Sequence, residues 1–355
     1  MKRLIYFVLC GLLVYLTCAT SHGHEEPTSF ANLKIGAGTI DLTLSASNLD
    51  LAHDLKSIEP KMLLDEKVIK ENQEELSTIL LSRIKLLSDG KLLTGKLVSV
   101  SSIPEKRDLC FEFRYPVIAP TKKFQMECDL FPYDPRHRTY LNIYQGKSLF
   151  QQRTFEGKVR SLAFKPNEPQ SIISVIREFS YEGIHHIFIG PDHVLFVIGL
   201  LLLGGSLSQL LKILTAFTIA HSITLGLATF RLLSPPASII EPIIALSIVV
   251  VGIHSFYGQK KHDPRMLFAF GFGLIHGFGF ASVLQEMELP AHALGWSLFA
   301  FNVGVEIGQG CILIAVAPAL AILGKNSPVL ARRLTHGLAL GVTTAGAFWF
   351  FQRIF

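Results

Sequence analysis

Two hydrophobic patterns divide the chain, and they meet near residue 178. Before that point apolar and polar residues alternate in short stretches such as Ile40-Asp41-Leu42-Thr43-Leu44, which is typical of a strand with one buried face. After it, long apolar runs follow one another, each comparable to the ~20 residues that an α-helix needs to cross a bilayer. The pattern therefore predicts a β-rich domain followed by a helical membrane domain.

The first domain, residues 22–175, carries the signals of a small β-sandwich with one helix. Residues 64–80 are rich in Glu, Lys and Leu and favour that helix. Asp89-Gly90 lies between Leu86-Leu87 and Leu92-Leu93, which indicates a hairpin. Further strands are predicted near residues 108–115, 122–130, 138–144 and 147–155.

Two cysteines of this domain, Cys110 and Cys128, fall on predicted strands. If the turn between these strands is centred near Ala119, the cysteines lie opposite each other and close enough to bridge. In an exported domain we therefore expect a disulfide between them. A pair of reduced core cysteines is the alternative.

The second domain, residues 178–355, contains six apolar segments separated by Gly and Pro residues. Residues 181–355 hold only 16 of the 61 Asp, Glu, Lys and Arg residues, so a bilayer is the expected solvent for this domain. We predict an all-α bundle of six transmembrane helices. The spans are residues 181–203, 209–230, 236–257, 265–285, 293–323 and 329–351.

Residues 1–21 have the pattern of a signal peptide, with Lys2 and Arg3 before an apolar run and small residues ending at Ser21. An uncleaved anchor helix is the alternative. Export of the first domain makes the loops after spans one, three and five cytoplasmic. These loops and the adjoining helix ends hold seven Lys and Arg residues, against two on the other side, which agrees with the positive-inside rule. We expect a multi-pass protein of the bacterial inner membrane with a periplasmic N-terminal domain.

The first span contains four groups that bind transition metals: His185, His186, Asp192 and His193. His186 and His193 share one face of a regular helix, and His185 and Asp192 lie on the adjacent strip. Pro191 is expected to kink this helix. Ionisable groups at membrane depth usually mark an ion or substrate path. A set of interhelical hydrogen bonds without a metal is the alternative.

Other spans add polar groups that could complete a metal path. His221 lies near the middle of the second span and is predicted to be a ligand or part of the path. The other candidates are Glu241, His276, Asn302 and Glu306 in spans three to five. Asn302 and Glu306 are four residues apart and so lie on one helical face. A series of such groups would let an ion exchange ligands stepwise.

Several motifs combine these polar residues with small and aromatic neighbours: His186-x5-Asp192-His193, Phe217-Thr218-Ile219-Ala220-His221-Ser222, Glu241-x5-Ser247, Phe272-Gly273-Leu274-Ile275-His276-Gly277 and Phe301-Asn302-x3-Glu306. Over roughly residues 180–355 they resemble the HupE/UreJ family. The resemblance implies a secondary permease for nickel or cobalt, with the metal contacted by His186, Asp192 and His193. The exported domain resembles that of a longer subgroup of the family.

We therefore interpret the chain as a permease for a divalent metal ion, not an enzyme, with no tightly bound cofactor. The cargo is nickel or cobalt, with copper and zinc as alternatives. No P-loop and no basic patch interleaved with aromatics are present, so neither ATP nor nucleic acid is an expected partner. A periplasmic metal-delivery protein is an expected partner of the exported domain, which could also capture ions or cap the entrance.

An intramembrane zinc hydrolase that uses the same His/Asp cluster is the rival hypothesis. Three histidines and an aspartate with an open position for water would satisfy catalytic zinc. The sequence contains neither Gly-x-Ser-x-Gly nor His-Glu-x-x-His, so no familiar catalytic motif supports it.

Overall fold

The computed structural model describes residues 27–36, 38–56, 58–117, 121–146, 148–166, 171–257, 263–280 and 291–355. The predicted signal peptide, residues 1–21, lies outside these ranges. The described chain divides into a β-rich unit that ends at Ser171 and a helical unit, Ile172–Phe355.

Ten strands of the β-rich unit form two sheets, one with six strands and one with four. In the larger sheet the order is β5-β6-β2-β1-β8-β9, and in the smaller it is β10-β7-β3-β4. Buried residues of both sheets belong to one hydrophobic cluster, which is the core of the unit. The strands are β1 (Thr28–Ile35), β2 (Thr39–Ser47), β3 (Ile84–Ser88), β4 (Lys91–Leu92), β5 (Lys96–Ile103), β6 (Asp108–Pro116), β7 (Phe124–Cys128), β8 (Arg138–Gln145), β9 (Ser148–Phe155) and β10 (Ser161–Phe164).

The larger sheet is mixed, because β1 pairs antiparallel with β2 but parallel with β8. Alternating burial along β2 agrees with the sequence pattern of one buried face. The hairpin expected at Asp89-Gly90 joins β3 to β4, and both residues have positive φ, 47° and 83°. Asn-Gly and Asp-Gly pairs favour this turn because Gly and Asp tolerate left-handed backbone.

Two α-helices are present in the described part of the β-rich unit, where the sequence had predicted one. Helix α1 (Asn48–Leu55) is capped by the Ser47 side chain. Helix α2 (Glu66–Arg83), the one expected over residues 64–80, is capped by the Asp65 side chain. A short 3-10 helix, Pro60–Leu64, precedes it. The prediction of a β-rich domain is confirmed, with an additional helix.

The expected disulfide is wrong, because Cys110 and Cys128 are both free thiols. Strand β6 places Cys110 in the larger sheet opposite Ser45, whereas β7 places Cys128 in the smaller sheet opposite Ile84. The two strands are not paired, so the hairpin assumed around Ala119, itself outside the described ranges, does not bring the cysteines together. Burial raises the pKa of the Cys128 thiol to about 12, which keeps it protonated and unreactive.

The helical unit contains seven described helices. Four of them, α5, α6, α8 and α9, are long and apolar enough to cross a membrane, or five spans if the bent pair α3–α4 counts as one. Helix α7 has 15 described residues, about 22 Å, and the predicted span continues into residues 281–285 outside the described ranges. The helices are α3 (Ile172–Ile189), α4 (Pro191–Leu201), α5 (Leu207–Thr229), α6 (Ala237–Tyr257), α7 (Arg265–Gly279), α8 (Ala291–Asn326) and α9 (Pro328–Ile354).

Glycines let helices of this unit approach each other closely. On α3, a Cβ at Gly183 would collide with the backbone of α8 at Phe301. Gly273 of α7 meets the backbone of α5 at Phe217, and Gly346 of α9 meets the backbone of α6. The pairs α3–α8, α5–α7 and α6–α9 form the most extensive helix contacts among the described elements. These pairs, with α4 against α6, position the polar groups of the unit.

Candidate metal centre

The first predicted span is broken into two helices at Gly190. Helix α3 ends at Ile189, α4 begins at Pro191, and the two axes are bent by 74°. Proline has no N–H to continue the helical hydrogen bonds, and its ring disfavours helical backbone in the preceding residue. The kink expected from Pro191 is therefore present as a complete break.

The break leaves no room for a side chain at Gly190. A Cβ built there would lie 2.8 Å from His193 Nδ1 and 2.9 Å from the His186 carbonyl oxygen. Only glycine allows the backbone to come this close to an imidazole ring. Gly190 thus brings the last turn of α3 to the first turn of α4.

Three histidines converge at this break. His186 in the last turn of α3 and His193 in the first turn of α4 have ring centroids 4.4 Å apart. His221, from the middle of α5, completes the group, and one ring nitrogen from each histidine lies within 4.8 Å of the others. Nitrogens bound to one transition-metal ion at ~2.0–2.1 Å lie roughly 3–4 Å apart. Small rotations of these rings would therefore reach coordinating distance. We call this group the trihistidine cluster.

The cluster contains nitrogens that the protein does not satisfy. His186 Nε2, both ring nitrogens of His193, and His221 Nε2 are buried without a hydrogen-bond partner among the described residues. An orphaned buried polar atom costs about 1–3 kcal/mol, so several of them in one place call for another partner. Phe280 and Phe301, whose ring centroids lie 4.5 and 5.4 Å from that of His186, provide an apolar wall for the cluster.

The orientation of His221 follows from its contact with Asn302 of α8. The Asn302 amide nitrogen donates to the Leu298 carbonyl oxygen at 2.8 Å, so the amide oxygen is the atom that faces the histidine. That oxygen lies 3.3 Å from His221 Nδ1, which must therefore carry the proton and donate it. Nε2 then presents a lone pair to the cluster, as in metal sites whose histidines donate their other nitrogen to a protein oxygen.

His276 lies beside the cluster without belonging to it. Its ring centroid is 4.9 Å from that of His193. Ser247 of α6 donates its hydroxyl hydrogen to the Ile244 carbonyl oxygen at 2.6 Å, so at the 3.0 Å contact with His276 Nε2 the histidine is the donor. His276 Nδ1 is left as an acceptor, buried and without a hydrogen-bond partner in the described part of the chain.

Asp192 lies outside the trihistidine cluster, although His193 follows it directly. Its Oδ2 accepts a hydrogen bond of 2.8 Å from Arg353 Nη2, near the end of α9. Both side chains are largely buried, with exposed fractions of 15% for Asp192 and 13% for Arg353. The carboxylate is thus paired with a fixed cation and is not among the atoms that converge in the cluster.

A second polar contact between α5 and α8 lies one helical turn beyond Asn302. Thr215 Oγ1 donates to Glu306 Oε1 at 2.5 Å, and Thr218 Oγ1 donates to Gln309 Oε1 at 3.2 Å. Glu306 Oε2 is buried and has no hydrogen-bond partner in the ranges that the structure covers. Polar groups therefore continue along the α5–α8 contact beyond His221.

Residues 164–353, just over half of the chain, match the model of the family described as "HupE / UreJ protein". The chain belongs to the HupE / UreJ protein family. A search of curated proteins found no match. Membership confirms the resemblance seen in the sequence motifs and, with the apolar helices, identifies a membrane protein. The matched region includes the trihistidine cluster and Arg353.

HupE / UreJ proteins are transport or accessory proteins rather than enzymes, and membership indicates a transporter of metal such as nickel or cobalt. The zinc-hydrolase hypothesis receives no support from this comparison. In this HupE / UreJ protein the sequence candidates separate into distinct positions. His186, His193 and His221 meet in the cluster, His276 and Asn302 border it, and Asp192 pairs with Arg353.

The remaining candidates are not part of the cluster. His185 stacks on Tyr181 at 5.8 Å between ring centroids, and the Glu241 carbonyl oxygen accepts from Arg353 Nη1 at 3.1 Å. The structure also shows two charged residues that the sequence analysis had overlooked as site residues: Glu182 on α3, only 5% exposed, and Arg353. Glu182 could have been found from the sequence, because it lies three and four residues before His185 and His186 and so shares a helical face with them. No local sequence pattern indicates a role for Arg353.

Proposed function

We propose that this HupE / UreJ protein is a secondary permease of the inner membrane that carries a divalent transition metal ion, nickel or cobalt, through the trihistidine cluster. The observation that carries the proposal is the convergence of His186, His193 and His221 at a helix break. Their buried nitrogens include several that lack a hydrogen-bond partner among the described residues. Broken helices whose ends border ligand groups are how many transporters build cation sites. Imidazole nitrogen suits nickel, cobalt, copper and zinc, so family membership supports the choice of nickel or cobalt.

The polar contacts between α5 and α8 support an onward path for the ion. Asn302 touches His221, and Glu306 follows Asn302 by one helical turn, about 6 Å. Glu306 and Gln309 supply oxygen atoms there, with Thr215 and Thr218 opposite them. An ion that exchanges nitrogen ligands for oxygen ligands is bound less tightly at the second position, which favours release.

In the proposed orientation the β-rich unit is periplasmic, and the N-terminal end of α5 is cytoplasmic. The path from His221 toward Thr215 then leads inward. No P-loop is present, so the membrane potential or a coupled ion is the proposed driving force. Each positive charge that crosses 100 mV gains ~2.3 kcal/mol, and a divalent ion gains about twice that amount.

The test measures both binding and transport with the full-length protein. Purified wild-type protein in nanodiscs is expected to bind Ni²⁺ or Co²⁺ by calorimetry, and in proteoliposomes to accumulate it when the interior is negative. His193→Ala and His221→Ala are each expected to lower affinity at least 100-fold, because each removes a nitrogen ligand. His336→Gln is the matched control, since His336 lies on α9, which contributes no residue to the trihistidine cluster, and contacts the Arg332 carbonyl oxygen.

The outcomes separate the hypotheses. Wild-type protein that neither binds nor accumulates any of Ni²⁺, Co²⁺, Cu²⁺ and Zn²⁺ would refute the permease proposal. Equal accumulation by wild type and by both cluster variants would place the path elsewhere. A chelator-sensitive cleavage of peptide or lipid by the purified protein would instead revive the hydrolase hypothesis.

A further inference from the structure

Arg353 reaches from the last turn of α9 to the start of α4. Its Nη2 donates to Asp192 Oδ2 at 2.8 Å, and its Nη1 donates to the Glu241 carbonyl oxygen at 3.1 Å. The guanidinium carbon lies 6.0 Å from the ring centroid of Trp349, one turn earlier on the same helix. One side chain therefore joins α9 to α4 and α6 beside the trihistidine cluster.

This contact is only partly satisfied. Arg353 Nε and Asp192 Oδ1 are both buried and lack a hydrogen-bond partner within the described residues. A bidentate Arg–carboxylate pair would use both oxygens and is the stronger arrangement. Here the pair is held by one hydrogen bond of the carboxylate, which leaves Oδ1 available to a second cation.

Arg265 of the same unit shows what a structural arginine looks like. It is fully buried, and its three nitrogens donate to the Asp263 carboxylate and to the carbonyl oxygens of Leu200 and Gly204. Those carbonyls lie at and beyond the C-terminal end of α4, where they have no helical partner. Arg265 closes that end of α4 with its hydrogen bonds complete, whereas Arg353 holds the opposite end with an incomplete set.

The position of Asp192 gives the incomplete pair a consequence for ion binding. The aspartate directly precedes His193 in the first turn of α4 and is held by Arg353, so an ion bound by His193 would lie near both the carboxylate and the guanidinium. Two cations compete for one carboxylate, and like charges repel each other strongly where water is scarce. The Arg353 guanidinium and a divalent ion therefore cannot both pair fully with the Asp192 carboxylate.

We propose that Arg353 is a tethered counter-cation, a positioning residue that competes with the transported ion for Asp192 and so weakens ion binding enough to allow release. The inference rests on the proposed permease function. Before the ion binds, Arg353 balances the charge of Asp192. When the ion binds, the Asp192 carboxylate turns toward it. When the ion leaves, Arg353 again donates a hydrogen bond to that carboxylate.

Arg353→Gln tests this because it removes the charge but keeps an amide donor. In nanodiscs the variant is expected to bind Ni²⁺ at least tenfold more tightly than wild type, since the competitor is gone. In proteoliposomes KM and the maximal rate should both fall, because a more tightly held ion leaves slowly. Arg353→Lys retains a positive charge and should restore an affinity within about threefold of wild type.

Arg333→Gln is the matched control, because it removes the same charge from an exposed position near the other end of α9. It should leave the Ni²⁺ affinity unchanged. A purely structural role for Arg353 predicts weaker binding in Arg353→Gln, as the contact between α9 and α4 loosens. Unchanged or weakened binding would therefore overturn the inference.

A second measurement keeps Arg353 in place and remains informative if Arg353→Gln does not fold. The sequence has two tryptophans, and Trp296→Phe leaves Trp349 as the single reporter next to the guanidinium. Zn²⁺, which is diamagnetic, should change the Trp349 emission in this background, because Arg353 moves relative to the ring. Saturating Zn²⁺ binding with no change in emission would contradict the exchange of partners.

These results are distinguishable from a failure of the permease proposal. If wild-type protein binds Ni²⁺ and His193→Ala abolishes binding, while Arg353→Gln does not tighten it, only the role of Arg353 is wrong. If wild-type protein binds none of the metals tested, the proposed function itself fails.

Discussion

In the helical unit, single neighbouring side chains determine the tautomer of two histidines, that is, which ring nitrogen carries the proton. Asn302 leaves His221 with a lone pair on Nε2, and Ser247 leaves His276 with one on Nδ1. Only the unprotonated nitrogen of a neutral histidine can bind a metal ion. The neighbours thus decide which nitrogen of each ring keeps a free lone pair.

Asn302→Leu is expected to weaken Ni²⁺ binding roughly 10- to 100-fold, because it removes the oxygen that orients His221. Asn302→Asp keeps an acceptor oxygen at that place and should retain most of the affinity. Calorimetry on the purified full-length protein measures both. Asn326→Leu, at the exposed end of the same helix, is the control. Wild-type affinity in Asn302→Leu would show that His221 needs no such support.

For single residues, the sequence predicted the candidate ligand types and part of their arrangement. The seven-residue spacing of His186 and His193 around Pro191 pointed to one site, and the structure brings these rings together. The spacing could not reveal that Asp192 turns toward Arg353, because that partner lies 161 residues away. Long-range pairing of this kind depends on how the helices pack, which local patterns do not encode.

Among the secondary-structure elements, the break between α3 and α4 matters most for the site. An unbroken helix would carry His186 and His193 two turns apart on one face, about 10 Å along the axis. The break instead brings their ring centroids to 4.4 Å. The expected shared helical face is therefore replaced by two helix ends that face each other.

Gly190→Ala is expected to lower Ni²⁺ affinity more than tenfold, because the new methyl group would displace the His193 ring or widen the break. Titration of the purified variant measures the loss. Gly226→Ala in α5 is the matched control, since a Cβ there meets no atom within 4 Å. If both variants bind Ni²⁺ as the wild type does, the close approach at Gly190 is not needed for the site.

Elements with strong local signals were predicted well, and pairings between distant strands were not. The Asp89-Gly90 hairpin, helix α2 and strands β6 to β9 all lie near their predicted positions. The disulfide was wrong because it assumed that β6 and β7, adjacent in sequence, pair with each other. The sheet order places them in different sheets, and nothing local to Cys110 or Cys128 indicates this.

For the whole molecule, the number of spans determines on which side of the membrane Phe355 lies. Four described helices, or five spans with the bent pair, satisfy the length and composition of a membrane span, and α7 is the short one. If α7 also crosses, there are six spans, and the β-rich unit and Phe355 lie on the same side of the membrane, which is the periplasm in the proposed orientation. The distribution of Lys and Arg over the loops favours that arrangement.

Alkaline phosphatase fused after Phe355 is therefore expected to be active, because this enzyme requires the periplasm, and a fluorescent protein at the same place should remain dark. A fusion after Gly205, in the first loop that the orientation makes cytoplasmic, is the control and should give the reverse result. An inactive phosphatase at Phe355 would indicate five spans and would also place Arg353 on the cytoplasmic side.

Composition was sufficient to predict this division into a β-rich and a membrane part, because hydropathy reports the solvent of each segment. Which helices pack against each other could not be predicted from composition or hydropathy. The pairs α3–α8, α5–α7 and α6–α9 join segments that are distant or non-adjacent in sequence. Their close approach depends on glycines such as Gly183 and Gly273. In the sequence, a glycine indicates that a helix face can pack closely, but it does not indicate which other helix packs there.

The parallel pairing of β1 with β8 limits the order in which the larger sheet can be completed as the chain folds. Strands β1 and β2 are close in sequence and can form their antiparallel pair early. The other edge of β1 stays open until Arg138–Gln145, more than 100 residues later in the chain, joins the sheet. Until then β1 has an unpaired edge, which is a template for aggregation. The unit is therefore protected from edge-to-edge pairing at β1 only once β8 is in place.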